Sequence, residues 1–332
     1  MVKNKTLAAR TIVLDAGGRY GLHPSWKPFK GELKYYLFET DSAEIGRLRK
    51  KYKGRPEVKP IYSALSDHNG RVSISFFRNL AMSSCVKRNP VSVSFTGQRV
   101  KEVDIVGTKD VKSVTVDSFC QQNKIALDFL KVDTEGSEYP ILMGAKKQLS
   151  ENVLGVRCEA SFDYIFEKMP LFSTIHEFLL KQGFYLLNLD YDGRGDYCNE
   201  FVEVEGRYGI LTACDGVWLK RRQYIFALNK GQELKRLARI LKYAAFCLNN
   251  NASDLALDVL LEARRKYALS FDPLSATRLY HYLEIAIHKL FYNLKWQPGQ
   301  SLERNKSVYT EIFGRKMKEM HEYNQSLELN PD

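Results

Sequence analysis

Residues 127–138, Leu-Asp-Phe-Leu-Lys-Val-Asp-Thr-Glu-Gly-Ser-Glu, set an apolar run directly against three carboxylates, Asp133, Glu135 and Glu138. The run reads as a buried strand, and a buried strand has no structural use for acids at its end. In open α/β sheets ligands bind beyond the carboxyl ends of the strands, so acids crowded there mark a site. Gly136 permits the sharp turn that would gather them. Such carboxylates can take the proton of an attacking hydroxyl, orient an acceptor, or ligate a divalent cation. They can also cap the helix that follows, because early acids favour the helix dipole. For Glu135 the catalytic, metal-binding and capping roles all stay open.

A second constellation lies near the start of the chain. The loop Asp15-Ala16-Gly17-Gly18-Arg19-Tyr20-Gly21 offers one acid and three glycines, Gly17, Gly18 and Gly21, that let backbone amides approach a ligand. Glu39 closes the next strand candidate about twenty residues later, a placement suited to accepting both hydroxyls of a ribose. Ser66 and Asp67 follow the third, where Asp67 could accept from an adenine amino group or simply sit in a turn before Asn69-Gly70. His23-Pro24 follows the glycines closely and no lysine is placed for phosphate, so a nucleoside fits this loop better than a polyphosphate. His23 and His68 occupy the same loops and are alternative bases.

Positioning these residues requires strands that end where they stand. Strand candidates are Thr11–Leu14, Tyr35–Phe38, Val58–Leu65, Arg71–Phe77, Lys112–Val116, Phe129–Val132, Gly155–Cys158, Tyr185–Leu189 and Gly216–Leu219. Helical spacing marks Ser42–Tyr52, with a Ser or Asp cap, Tyr139–Leu149, and Leu171–Gln182, which stops at Gly183. Strand and helix in this alternation predict an α/β fold with a mostly parallel, doubly wound sheet. Residues 78–112 show weak periodicity and read as a long loop, a kind often functional. From Glu233 to about Glu322 only helical patterns remain, about four of them. The expected division is a site-bearing domain over residues 1–228 and an all-α module over residues 229–332.

Composition narrows the class less than the motifs do. Of 332 residues, 44% are hydrophobic and 27% charged, ordinary values for a folded protein. The net charge of +11 fits anionic partners or a merely basic enzyme. Six cysteines are scattered without a CxxC pair, which predicts reduced packing residues rather than disulfides or zinc. No apolar run is long enough for a signal peptide or a spanning helix, so a cytoplasmic location is expected.

Taken together, L-D-A-G-G-R-Y-G, L-F-E-T-D, A-L-S-D-H-N-G, S-V-T-V-D-S-F and D-F-L-K-V-D-T-E-G-S-E-Y-P-I-L-M-G-A resemble the FkbM family of S-adenosylmethionine (SAM)-dependent methyltransferases. The Glu159 strand, residues 170–189 and Met82-Ser83-Ser84 extend the resemblance, which runs from about residue 10 to 222. The chain departs from the family pattern at Gly18, where alanine is usual, at Tyr20, and at Thr40 after Glu39. The resemblance implies a class I, Rossmann-like methyltransferase fold, SAM as cofactor, and methyl transfer to a hydroxyl of a sugar, a glycan or a related polar acceptor. By that resemblance Asp15, Gly17, Gly18 and Gly21 would shape the methionine pocket, Glu39 would hold the ribose, and Ser66 and Asp67 would neighbour the adenine. Asp133, Glu135 and Glu138 would line the junction with the acceptor, Asp133 touching the cofactor too, and Asp133 or Glu135 would be the base. Whether a divalent metal takes part stays open. A nucleic-acid acceptor is disfavoured, since Asp133-Thr134-Glu135-Gly136 is not the Asn/Asp-Pro-Pro-aromatic element of amino-methylating enzymes. A non-catalytic adenosine-binding module with a partner-binding tail is the other alternative. The helical module would close over the acceptor or join two copies of the chain.

Overall fold

The parallel heart of the molecule is built from short runs that are apolar almost throughout. A computed structural model describes residues 10–92, 99–190, 211–227, 231–293 and 302–314. Strands β1 (Thr11–Ala16), β2 (Leu33–Glu39), β3 (Val58–Tyr62), β7 (Phe129–Val132) and β8 (Gly155–Ser161) carry the core, and β7 is buried at every position. Such continuous burial is what a strand covered on both faces requires. With β9 (Phe184–Asp190) and β10 (Ala213–Lys220) they form a seven-stranded sheet in the order β3-β2-β1-β7-β8-β10-β9. The pairs β2–β3, β1–β7 and β7–β8 are parallel, whereas β10 runs antiparallel to both β8 and β9. The expected doubly wound sheet is therefore present, closed by one reversed strand.

A second sheet, β4-β6-β5, was not foreseen. The single strand expected over Val58–Leu65 is two: β3 stays in the large sheet, and β4 (Ala64–Leu65) pairs with β6 (Ile105–Val114). Ser63 marks the break, its hydroxyl donating to the Lys112 carbonyl at 2.9 Å. The long-loop expectation for residues 78–112 is likewise corrected, because β6 pairs antiparallel with β5 (Gly70–Phe77) from Ile105 to Ser113. Residues 105–110 are all exposed, so no apolar alternation betrays the strand. The strand expected at Lys112–Val116 ends at Val114, where Thr115 caps α3 (Val116–Asn123) by accepting from the Ser118 amide at 3.0 Å.

Around the large sheet lie α1 (Ser42–Lys51), capped by Asp41, a short α2 (Arg99–Glu102) before β6, and α6 (Phe172–Lys181). The helix expected over Tyr139–Leu149 is divided at Gly144-Ala145 into α4 (Glu138–Met143) and α5 (Lys146–Glu151). Asp117 starts the second piece, accepting from the Lys147 and Gln148 amides at 2.9 Å each.

The chain separates into two compact units: Ile12–Pro24 with Leu33–Arg221, and Met1–Thr11 with Ser25–Glu32 and Arg222–Asp332. The second holds α7 (Glu233–Asn249), α8 (Ser253–Arg265), α9 (Arg278–Asn293) and α10 (Leu302–Phe313). Two residues of its early segment are built into it. Trp26 stacks on Phe246 at 6.1 Å, and the Glu32 carboxylate accepts from the Arg278 and Leu279 amides, closing the start of α9. Cys198 and the break expected at Gln297-Pro298-Gly299 fall outside the described residues.

Candidate active site

The site begins where β1 meets β7. Gly17 turns the chain at φ +85°, and a Cβ there would stand 1.6 Å from the Asp133 carbonyl oxygen. Only glycine lets these two strand ends approach so closely. At Gly18 a Cβ would fall 2.2 Å from Leu37, so the side chain beneath has taken the room an alanine needs.

On one face of the sheet the register lines up charged residues in two rows. Asp15 pairs with Lys131, and Lys131 with Arg157. One step nearer the strand ends stand Asp133, Glu159 and Asp215, the last two paired across β8 and β10. Asp15 is 1% exposed and accepts from the Tyr35 hydroxyl. The Lys131 ammonium lies 3.4 Å from Asp15 and donates to Asp133 at 3.0 Å, while Arg157 reaches Asp215 at 3.1 Å. Two cations, Lys131 and Arg157, thus stand beside Asp15 beneath an acidic rim.

The protonation equilibria follow from that crowding. Burial raises the Asp15 pKa against the opposing pull of Lys131 and Tyr35. Burial by itself would discharge Lys131, but Asp15 and Asp133 outweigh it and hold the ammonium above its ordinary value. Glu159 is pushed well upward, first by burial and then by Glu135 and Asp133. Asp215 is raised by burial and Asp133, with Arg157 opposing. His23 is lowered to about 4 by burial, Lys131 and Arg157, and is therefore neutral at ordinary pH.

The Glu135 turn is held from both sides. Glu135 is left-handed at φ 57°, followed by Gly136 at φ 102°. The Ser84 hydroxyl donates to the Glu135 carbonyl at 2.5 Å, and Cys85 Sγ lies 2.8 Å from Ser137 Oγ. Glu138 differs from expectation. It is 3% exposed and accepts from Thr134 N, Thr134 Oγ1 and Gly136 N at 2.8–2.9 Å, so it clasps the turn and leaves Asp133 and Glu135 to face the opening. Its donors all precede α4, so it braces the turn rather than capping the helix that follows.

On the opposite side Glu39 accepts from the Thr40 and Asp41 amides through one oxygen, Oε1, at 2.7 and 2.9 Å. Burial raises its pKa while those amides oppose. Asp67 accepts from Ser66 Oγ at 3.1 Å and lies 2.6 Å from His68 Nδ1. That contact lowers Asp67 and raises His68.

The ends of β1, β2 and β7, with β4 and β5, border one cavity of about 890 Å³. Asp15, Gly17, Gly18, Gly21, Glu39, Ser66, Asp67, Asp133 and Glu135 all line it, as do His23, His68 and Lys131. Val72, Ile74, Phe76 and Leu80, from β5 and the turn after it, add an apolar wall. Sequence reasoning passed over Lys131, Arg157 and Asp215. The available signal was a cation inside each of two buried strands, Leu130-Lys131-Val132 and Val156-Arg157-Cys158. Asp133, Glu135 and Glu159 each present an oxygen within 4.8 Å of the others, a spacing that a divalent cation can bridge.

The large sheet defines the class. With the inserted small sheet set aside, its order becomes 3-2-1-4-5-7-6 with the seventh strand reversed, the Rossmann-like arrangement of class I methyltransferases. Residues 30–186 match the family model described as the methyltransferase FkbM domain. Among solved structures it is similar to an FkbM methyltransferase from Methylobacillus flagellatus KT, at 14% identity and a TM-score of 0.39, over 64% of this chain and 44% of that one. The chain thus spans under half the length of that structure. Likenesses at 11% identity and a TM-score of 0.30 are found with a putative RNA methyltransferase from Pyrococcus horikoshii (64% of this chain, 76% of that one) and with the 23S rRNA methyltransferase ErmE (85% and 97%). Similarity this low carries no argument about substrate. No curated protein matches the chain. Among the described residues no helix is long and apolar enough to cross a membrane.

Proposed function

We propose that the chain is a SAM-dependent methyltransferase that methylates a hydroxyl of a sugar, glycan or similarly polar acceptor. One observation carries the reading: a single cavity gathers the Asp15–Gly21 loop, Glu39, Ser66 and Asp67 on one side and Asp133 with Glu135 on the other. SAM supplies an electrophilic methyl on a sulfonium. Glu39 holds the ribose, the Gly17 turn admits the methionine end, and Asp67 with Ser66 borders the adenine. Much of the acceleration comes from holding the acceptor oxygen in line with the methyl. As the acceptor oxygen bonded to the methyl carbon, the carbon–sulfur bond would break and its electron pair would stay on sulfur, leaving the neutral thioether product, while the hydroxyl proton would pass to Asp133 or Glu135, a transfer worth about 10²–10⁴ in rate. The same carboxylates, with Glu159, are equipped to hold a divalent cation that would polarise the hydroxyl, and full turnover in a chelator separates the two routes. A cytoplasmic location agrees with the five described cysteines, all of them free.

Calorimetric titration with SAM and its demethylated product tests the reading. Binding of SAM that the product competes away is expected; no heat and no competition would remove it. Asp133→Asn should then abolish methyl transfer while leaving SAM binding in place.

A further inference from the structure

We propose that Lys131 is a positioning residue that fixes Asp15 and Asp133 around the methionine end of the cofactor, an inference that rests on the methyltransferase reading above. The residue sits where the core has no use for it. Its strand neighbours Leu130 and Val132 belong to the main apolar cluster, and Lys131 itself is 4% exposed. A buried ammonium is costly unless it is closely paired, and an apolar side chain of similar volume often serves stability equally well. What the lysine adds is direction.

Its Nζ lies 3.4 Å from Asp15 and 3.0 Å from Asp133, so one compact cation ties the end of β1 to the end of β7. The tie continues sideways, since Tyr35 on β2 donates to the other oxygen of Asp15. Among the described residues no other cation pairs with Asp15, and Arg157 is turned to Asp215 and Asp190 at 3.1 and 3.8 Å. Backbone geometry makes the coupling stiff. The Asp133 amide donates to the Ala16 carbonyl at 3.0 Å, one residue before the Gly17 turn that admits the ligand. Three strands thus set both acids through a single ammonium. Lys131 lines the cavity beside Asp15 and Asp133. The residues assigned to the nucleoside, Glu39, Ser66 and Asp67, have partners of their own and none of them is Lys131.

That separation supplies the test. The full-length protein and the variants Lys131→Met and Lys131→Gln are titrated with SAM and with 5′-methylthioadenosine, which has the nucleoside and lacks the amino-acid part; folding is followed by circular dichroism. Positioning at the methionine end predicts SAM binding at least about tenfold weaker in a folded variant, with methylthioadenosine bound within about twofold of wild type. Unchanged SAM affinity overturns the proposal. So does a parallel loss of both ligands, or failure of both variants to fold, either of which would assign Lys131 to the scaffold. Failure of wild type to bind SAM would remove the methyltransferase reading itself, a result visible before any variant is made.

Discussion

Replacing Glu138 by alanine should loosen the turn that carries Glu135. The carboxylate now satisfies three donors, Thr134 N, Thr134 Oγ1 and Gly136 N, at 2.8–2.9 Å. Alanine would strand the two amides; the Thr134 hydroxyl can rotate elsewhere. An unpaired buried donor costs about 1–3 kcal/mol, so the two amides together cost about 2–6 kcal/mol. Part of that is offset because the buried carboxylate is itself held uncomfortably, as its raised pKa records. A net loss of about 2–4 kcal/mol follows. In a unit of this size each kcal/mol moves the midpoint by about 2–4 °C, giving a fall of about 4–16 °C. Thermal denaturation followed by circular dichroism reads the effect, and Glu138→Gln, which keeps one acceptor, should lie between alanine and wild type. If Glu138→Ala melts within about 1 °C of wild type, the clasp is not what holds the turn.

Further outcomes follow from neighbouring geometry. Asp15, Glu138, Glu159 and Asp215 all have pKa values raised by burial. Each binds its proton more tightly folded than unfolded, so its contribution to stability is full below the ordinary carboxylate range and is lost as pH rises through the folded value. The melting temperature should therefore fall as pH rises above the ordinary carboxylate range, and Glu159→Gln should flatten that fall; a profile rising with pH would mean that burial does not raise the pKa values of these acids. Gly17→Ala must fit a Cβ 1.6 Å from the Asp133 oxygen at φ +85°, and should abolish SAM binding in calorimetry even where soluble protein is recovered. Once an acceptor is found, methyl transfer should persist in excess chelator; its loss, restored by magnesium or manganese, would move Asp133, Glu135 and Glu159 to the cation-holding role.

Much of this site was legible because its residues stand at strand ends, where an acid interrupts an apolar run and has no packing reason to be there. Asp15, Glu39, Asp67, Asp133 and Glu135 were all visible in that way, and the parallel sheet could be read from the same runs. The small sheet was invisible for the opposite reason. β6 is exposed along residues 105–110 and shows no alternation, and its pairing with β5 spans a long interval in sequence. Lys131 and Arg157 were overlooked because a single charge inside an apolar run is usually tolerated silently, and only register shows that the two stand side by side. Glu138 was misjudged because sequence shows which acids cluster but not which way each side chain turns. The segment Ser25–Glu32 belongs to the helical unit with no shift in composition to announce it.

A crystal structure of the full-length protein with SAM bound is the most direct measurement. The ribose hydroxyls should meet Glu39, the methionine end should lie against the Gly17 turn between Asp15 and Asp133, and the methyl should face Asp133 and Glu135. SAM bound outside this cavity, or with its adenine at Glu135 and its methyl turned toward Glu39, would contradict the assignment of the site.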